Sequence, residues 1–153
     1  MPDFLVTTID KFTFRVPTDR FYSPEGVWVL WLPGAPVVRV RVGVTDFVQQ
    51  HGGDVAFATA MPVGTTVQAG DEVGTVETIK ATLQLLSPVD GRIVAVNPAL
   101  KAAPEVINQD PYGEGWLAEI EVADGDAQAA GLLDPQAYLA HMKAAAEEEV
   151  GTP

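Results

Sequence analysis

The chain has 153 residues, the length of one ordinary domain, and is 47% apolar, so it can bury a real core and is not a disordered chain. A formal net charge of −12 repels phosphate and argues against nucleic-acid binding; solubility is the plain meaning of the acidity, and docking on basic partner surfaces the functional one. The absence of cysteine excludes disulfide scaffolds, thiolate metal sites and cysteine nucleophiles, and two histidines are too few for a His-based zinc cage.

Residues 1–20 are expected to be an N-terminal extension, in which Ile9, Phe12, Phe14 and Val16 fit either a strand or an arm clinging to the domain. Val27-Trp-Val-Leu-Trp-Leu32 is rich in β-formers, 33–36 is a Pro/Gly turn, and 37–42 alternates valine with Arg39 and Arg41; the three together predict a β-hairpin. Residues 45–51 predict a short helix with Thr45 as its N-cap and Gly52-Gly53 as its stop. From Asp54 to Val96 short strands are cut by turns at Met61-Pro-Val-Gly64, Ala69-Gly-Asp71, Ser87-Pro-Val-Asp-Gly91 and Asn97-Pro98, a spacing that predicts a small sandwich or barrel.

Residues 98–115 are expected to be a loop, and 117–122 a final alternating strand. Beyond Asp124 the pattern turns helical, with Leu132, Leu133, Tyr138, Leu139 and Met142 on the apolar face and Pro135 in the first turn. Carboxylates at a helix C-terminus oppose its dipole, so the end 144–149 is expected to be solvated and frayed. The expected division is 1–20, a central sandwich 21–125, and a C-terminal helix and tail 126–153. No apolar run reaches the ~20 residues of a membrane span, and the N-terminus lacks the basic and apolar regions of a signal peptide, so a cytoplasmic location is expected.

Lys80 is the only Lys or Arg between Arg41 and Arg92, midway between two similar Gly-containing halves, 67–75 and 88–96. Two strand–turn–strand halves place it at a protruding hairpin tip. There a modifying enzyme can reach the amine, and an attached arm can reach other proteins. The competing reading is a solvated turn lysine, which is what most lysines are.

The same stretch resembles the H-protein of the glycine cleavage system, and the resemblance runs from about Phe21 to Glu148. Glu77-Thr-Ile-Lys-Ala81 is similar to that family's attachment motif Glu-Ser-Val-Lys-Ala. Gly43-Val-Thr-Asp46 is similar to its Gly-Ile-Thr-Asp, Asn108-Gln-Asp-Pro-Tyr-Gly-Glu-Gly-Trp116 to its Asn-x-x-Pro-Tyr-x-x-Gly-Trp, and Gly64 and Gly91 to the glycines flanking the lysine. The resemblance implies a mainly β hybrid barrel-sandwich (hammerhead) lipoyl domain with short flanking helices and a C-terminal helix. It implies a carrier rather than an enzyme, with lipoate in amide linkage to Lys80. The chemistry then belongs to the cofactor and the partner enzymes. Implied partners are a lipoate ligase or lipoyl-transfer enzymes, glycine cleavage enzymes and dihydrolipoamide dehydrogenase.

Glu77 is expected to serve ligase recognition. His51 is expected near the arm, as a lipoyl contact or as a helix-end residue capping carbonyls, and Trp28 as scaffold that also lines the cleft. Val27 and Gln84 stand where the resemblance places carboxylates sheltering an aminomethyl cation, and Leu83 stands where it places serine. Burying a cation requires a charge partner or several oxygens. This departure, with the extra N-terminal residues, fits a related lipoate-binding branch better, one serving heterodisulfide-reductase-like complexes in sulfur oxidation. The main expectation is therefore a sulfur carrier, with the glycine cleavage H-protein as the alternative.

Other classes fare worse. Ser23 and Ser87, the only serines, sit in no nucleophile elbow, and the Met-Lys-Met of a biotin carrier is replaced by Ile79-Lys80-Ala81.

Overall fold

The structure is a computed structural model and describes residues 3–33, 38–122 and 131–150. In chain order the strands are β1 (Phe4–Ile9), β2 (Phe12–Pro17), β3 (Phe21–Tyr22), β4 (Val27–Leu32) and β5 (Arg39–Val44). Helix α1 (Asp46–Gly52) follows, then β6 (Val55–Ala60), β7 (Thr66–Val67), β8 (Glu72–Thr78), β9 (Thr82–Leu86) and β10 (Gly91–Val96). Two single-turn helices, α2 (Ala99–Ala102) and α3 (Val106–Gln109), precede β11 (Ala118–Val122), and α4 (Pro135–Val150) closes the chain. No helix among the described residues is long and apolar enough to cross a membrane.

Two sheets face each other. One has the order β3-β4-β5-β11-β10-β7, the other β6-β8-β9. Alternation builds the first: Val40 and Val42 point inward and are fully buried, while Arg41 points outward and pairs with Glu119 of β11 at 2.7 Å. The inward set of this sheet, with Ile93 and Ile120, packs on Val73, Val76 and Leu85 of the smaller sheet as one apolar core. The predicted 33–36 turn falls largely outside the described residues, but its strands β4 and β5 pair antiparallel as expected.

Residues 3–20 meet both expectations for the extension, being strand and clinging to the domain. β1 and β2 make an antiparallel hairpin of their own, turning at Asp10, whose φ of 57° is one that a short polar side chain tolerates. Ile9, Phe14 and Val16 join a second apolar cluster with Tyr22, Trp28, Tyr138 and Met142, which fastens the hairpin and α4 to the domain.

Two sequence expectations are corrected. The 98–115 loop contains α2 and α3, because the Asn97 side chain accepts from Ala99 N–H at 3.0 Å and donates to the carbonyls of Glu114 and Trp116, while Leu100 and Ile107 are buried anchors. The end of α4 is not wholly solvated either: Ala146 is buried against the second cluster.

Candidate carrier site around Lys80

Lys80 sits at the exposed turn joining β8 to β9. The turn is closed by Thr78, whose N–H donates to the Ala81 carbonyl at 2.8 Å and whose Oγ1 accepts from Ala81 N–H at 3.0 Å. Behind it the strands pair in register, Glu77 with Thr82 and Val76 with Leu83, and the buried Val76 and Leu85 anchor them in the core. Ile79 is 83% exposed at the tip. A tightly closed turn on a buried ladder is a rigid pedestal for an accessible amine.

The pedestal leans on the end of α1. Thr45 caps the start of that helix, and Gly53 ends it with a φ of 87°, donating its N–H to Gln49 O. Ile79 N–H reaches the Asp54 carbonyl at 3.3 Å. A Cβ built on Gly53 would lie 3.3 Å from Cε of Lys80, so the lysine stem passes close over this glycine and would have to shift slightly for a larger residue. Asn108 holds the corner: its Oδ1 accepts from Val55 N–H at 2.8 Å, and its Nδ2 donates to Gly53 O at 3.0 Å and Gln49 Oε1 at 3.1 Å.

Beside the lysine lies a groove of about 280 Å³ walled by Ile9, Phe12 and Phe14 of the hairpin, by Phe47, Gln50 and His51 of α1, and by Ala146 of α4. Its aromatic rings run in sequence. Phe12 stacks near Phe14 at 6.3 Å, Phe14 meets Phe47 edge-on at 5.5 Å, and Phe47 stacks on His51 at 5.8 Å.

Of the residues singled out from sequence, Lys80 and His51 meet at this groove. Glu77 lies exposed on β8, paired to Phe57 of β6 on one side and Thr82 on the other. Gly64 and Gly91 stand elsewhere. Gly64 takes a φ of 96° in the turn between β6 and β7, and Gly91 pairs with Val67 so closely against the Glu121 carbonyl that a Cβ would clash. Trp28 is fully buried across Gly43, donates Nε1–H to Pro111 O at 2.9 Å, and does not line the groove. Arg20 stacks over Trp28 at 4.7 Å, and its guanidinium also donates to Tyr112 O at 2.9 Å.

Sequence reasoning missed Gly53, Phe47 and the hairpin aromatics as neighbours of Lys80. The alternation of Phe12 and Phe14 signalled a strand face, but nothing local says which surface that face covers.

A rigid, exposed lysine turn on a barrel-sandwich, with an apolar groove at its foot, defines the class of lipoyl-bearing carrier domains. Residues 23–145 match the family model described as Glycine cleavage H-protein. The chain is 43% identical over 128 residues to the glycine cleavage system H protein of Mycolicibacterium smegmatis, covering 82% of this chain and 95% of that one. It is 46% identical over 114 residues to the probable glycine cleavage system H protein of Natronomonas pharaonis, covering 74% and 86%. The crystal structure of an H protein from Mycobacterium marinum superposes with a TM-score of 0.70 at 37% identity, covering 82% of this chain and 97% of that one. The chain belongs to the glycine cleavage H-protein family, whose members carry lipoate covalently on a lysine and act as carriers while partner enzymes do the chemistry.

The sulfur-carrier expectation, with its heterodisulfide-reductase-like partner, finds no support in these relatives; its glycine cleavage alternative fits better. The physical reason lies in the two positions where carboxylates were expected. Val27 is 1% exposed and belongs to the main apolar core, and Gln84 is exposed on β9. Neither lines the groove beside Lys80, so their neutrality does not decide what cargo the groove tolerates.

Proposed function

We propose that this chain is the H-protein of a glycine cleavage system, with lipoate joined in amide linkage to Lys80 and the aminomethyl group as cargo passed between the glycine cleavage enzymes. The observation that carries the reading is Lys80 itself, held on a closed turn with its stem against Gly53 and an apolar groove beside it. The residues present fit the group. The turn offers the amine to a ligase, the missing side chain at Gly53 leaves a path for the stem, and the groove's aromatic wall suits an uncharged acyl arm. When bound, lipoate supplies a dithiolane that cycles between disulfide and dithiol.

This chain's own part is mechanical. It holds the amine outward, and tethering keeps the cargo at an effective concentration in the ~mM range for whichever enzyme docks. The partners this calls for are a lipoate ligase or lipoyl-transfer enzymes, the glycine cleavage enzymes, and dihydrolipoamide dehydrogenase to reoxidise the arm.

The test is glycine-dependent exchange of bicarbonate with the glycine carboxyl group, using glycine decarboxylase and the lipoylated protein. Stimulation by the wild type, lost in Lys80→Arg, supports the reading. A protein that gains the lipoyl mass yet gives no exchange above background overturns the glycine cleavage assignment and leaves the carrier.

A further inference from the structure

We propose that the N-terminal hairpin β1–β2 is a dedicated shelter, forming one wall of the groove in which this chain's own lipoyl arm rests between docking events. The proposal rests on Lys80 as the attachment site. The hairpin lies outside the family match, which begins at residue 23.

The hairpin is built to face the lysine. Ile9, Phe12 and Phe14 line the groove from one side, and Phe47, Gln50 and His51 of α1 line it from the other. Ile9 and Phe14 are buried, but Phe12 remains 44% exposed. The arm is the occupant that tethering selects: Lys80 lines the groove, so the arm begins there and meets this wall at high effective concentration. Amide formation removes the lysine's charge, leaving an uncharged apolar chain to be received.

The hairpin is also fixed in place. Arg15 N–H donates to Asp46 Oδ2 at 2.9 Å, the Gln50 side chain donates to Thr13 O at 2.9 Å, and Tyr112 Oη donates to Arg15 O at 2.6 Å. These three links join the hairpin to α1 and to the 110–116 segment, so the wall is rigid.

Because the chain has no cysteine, the thiols of a reduced lipoyl arm are the only thiols in the lipoylated protein, and N-ethylmaleimide reads their exposure directly. Mass spectrometry first establishes the lipoyl group in each variant. The reduced proteins are then alkylated. Phe12→Asp, which puts a charge on the wall, should react about 5-fold faster than wild type or more, the factor expected from withdrawing about one buried methylene group. Val6→Asp is the control, since Val6 is 56% exposed on the same hairpin and does not line the groove; it should react like wild type. Amide exchange at residues 12–14 should also slow on lipoylation of the wild type.

Equal alkylation of Phe12→Asp and wild type would overturn the proposal, as would equal acceleration by Val6→Asp. Failure to gain the lipoyl mass at Lys80 would overturn the attachment reading and the proposal with it.

Discussion

Arg15 and Asp46 are joined across the molecule: the Arg15 N–H donates to Asp46 Oδ2 at 2.9 Å. Tyr112 completes the join, its hydroxyl donating to Arg15 O at 2.6 Å and accepting from Asp46 N–H at 2.8 Å. One phenol thus satisfies a carbonyl of the hairpin and a free N–H of the first turn of α1. Tyr112→Phe should cost about 1–3 kcal/mol, because both backbone groups lose their partner. Urea denaturation measures the loss. Amide exchange should rise at residues 12–16 while the core strands β5 and β11 keep their protection; uniform acceleration would show that the phenol holds no particular element.

Lys80→Arg should abolish lipoylation, because a guanidinium is not acylated as an amine is. Stability should stay within about 0.5 kcal/mol of wild type, since the side chain is exposed at a turn closed by its neighbours. Intact mass after incubation with a lipoate ligase gives the answer. A lipoyl gain in the arginine variant would move the site elsewhere.

Glu77 and Gly91 should separate ligase recognition from folding. Glu77→Ala removes an exposed charge on β8 and should slow lipoylation with little change in melting temperature. Gly91→Ala should do the reverse, because its Cβ would press on the Glu121 carbonyl and on Ile120 Cγ2 at 2.6 Å. A loss of about 1–3 kcal/mol is expected from such overpacking. Lipoylation rates measured at a temperature where both variants are folded distinguish the two effects; equal rates for Glu77→Ala and wild type would leave Glu77 a solvated charge.

The buried Tyr22 and Tyr138 and the partly buried Tyr112 predict alkaline sensitivity. Burial pushes the phenols of Tyr22 and Tyr112 well above the usual range and that of Tyr138 up to about 12, with the Thr45 hydroxyl bond partly opposing the shift at Tyr138. A folded pKa above the unfolded one means that the unfolded chain loses its proton first as pH rises. The stability from Tyr138 is therefore fully present below about pH 10 and is lost between about pH 10 and 12, at about 1.4 kcal/mol per pH unit. Tyr138→Phe should be less stable at pH 8, having lost the 2.7 Å contact to Thr45, yet show a shallower decline above pH 10. Parallel decline in both proteins would show that this phenol does not titrate on unfolding.

The local order of the chain was legible from the residues alone. Valine alternation at 37–42 set Arg41 on the face opposite Val40 and Val42, and a period of two fixes which face each side chain takes. Thr45 and Gly52-Gly53 bounded α1, because an N-cap hydroxyl and a glycine with positive φ satisfy the backbone groups a helix end leaves open. Lys80 at a turn between Gly-bearing halves was legible too, since turn chemistry is local.

What lay beside Lys80 was decided only by tertiary structure. Phe12 and Phe14 are separated from Lys80 by more of the chain than any periodicity spans, and they meet it because hydrogen bonds to Asp46 and Tyr112 dock the hairpin on α1. Val27 shows the same limit from the other side. A motif placed it at the cargo, but the inward face of β4 carries it into the core, because burial follows the pleat and the packing of the opposite sheet rather than the neighbours in sequence.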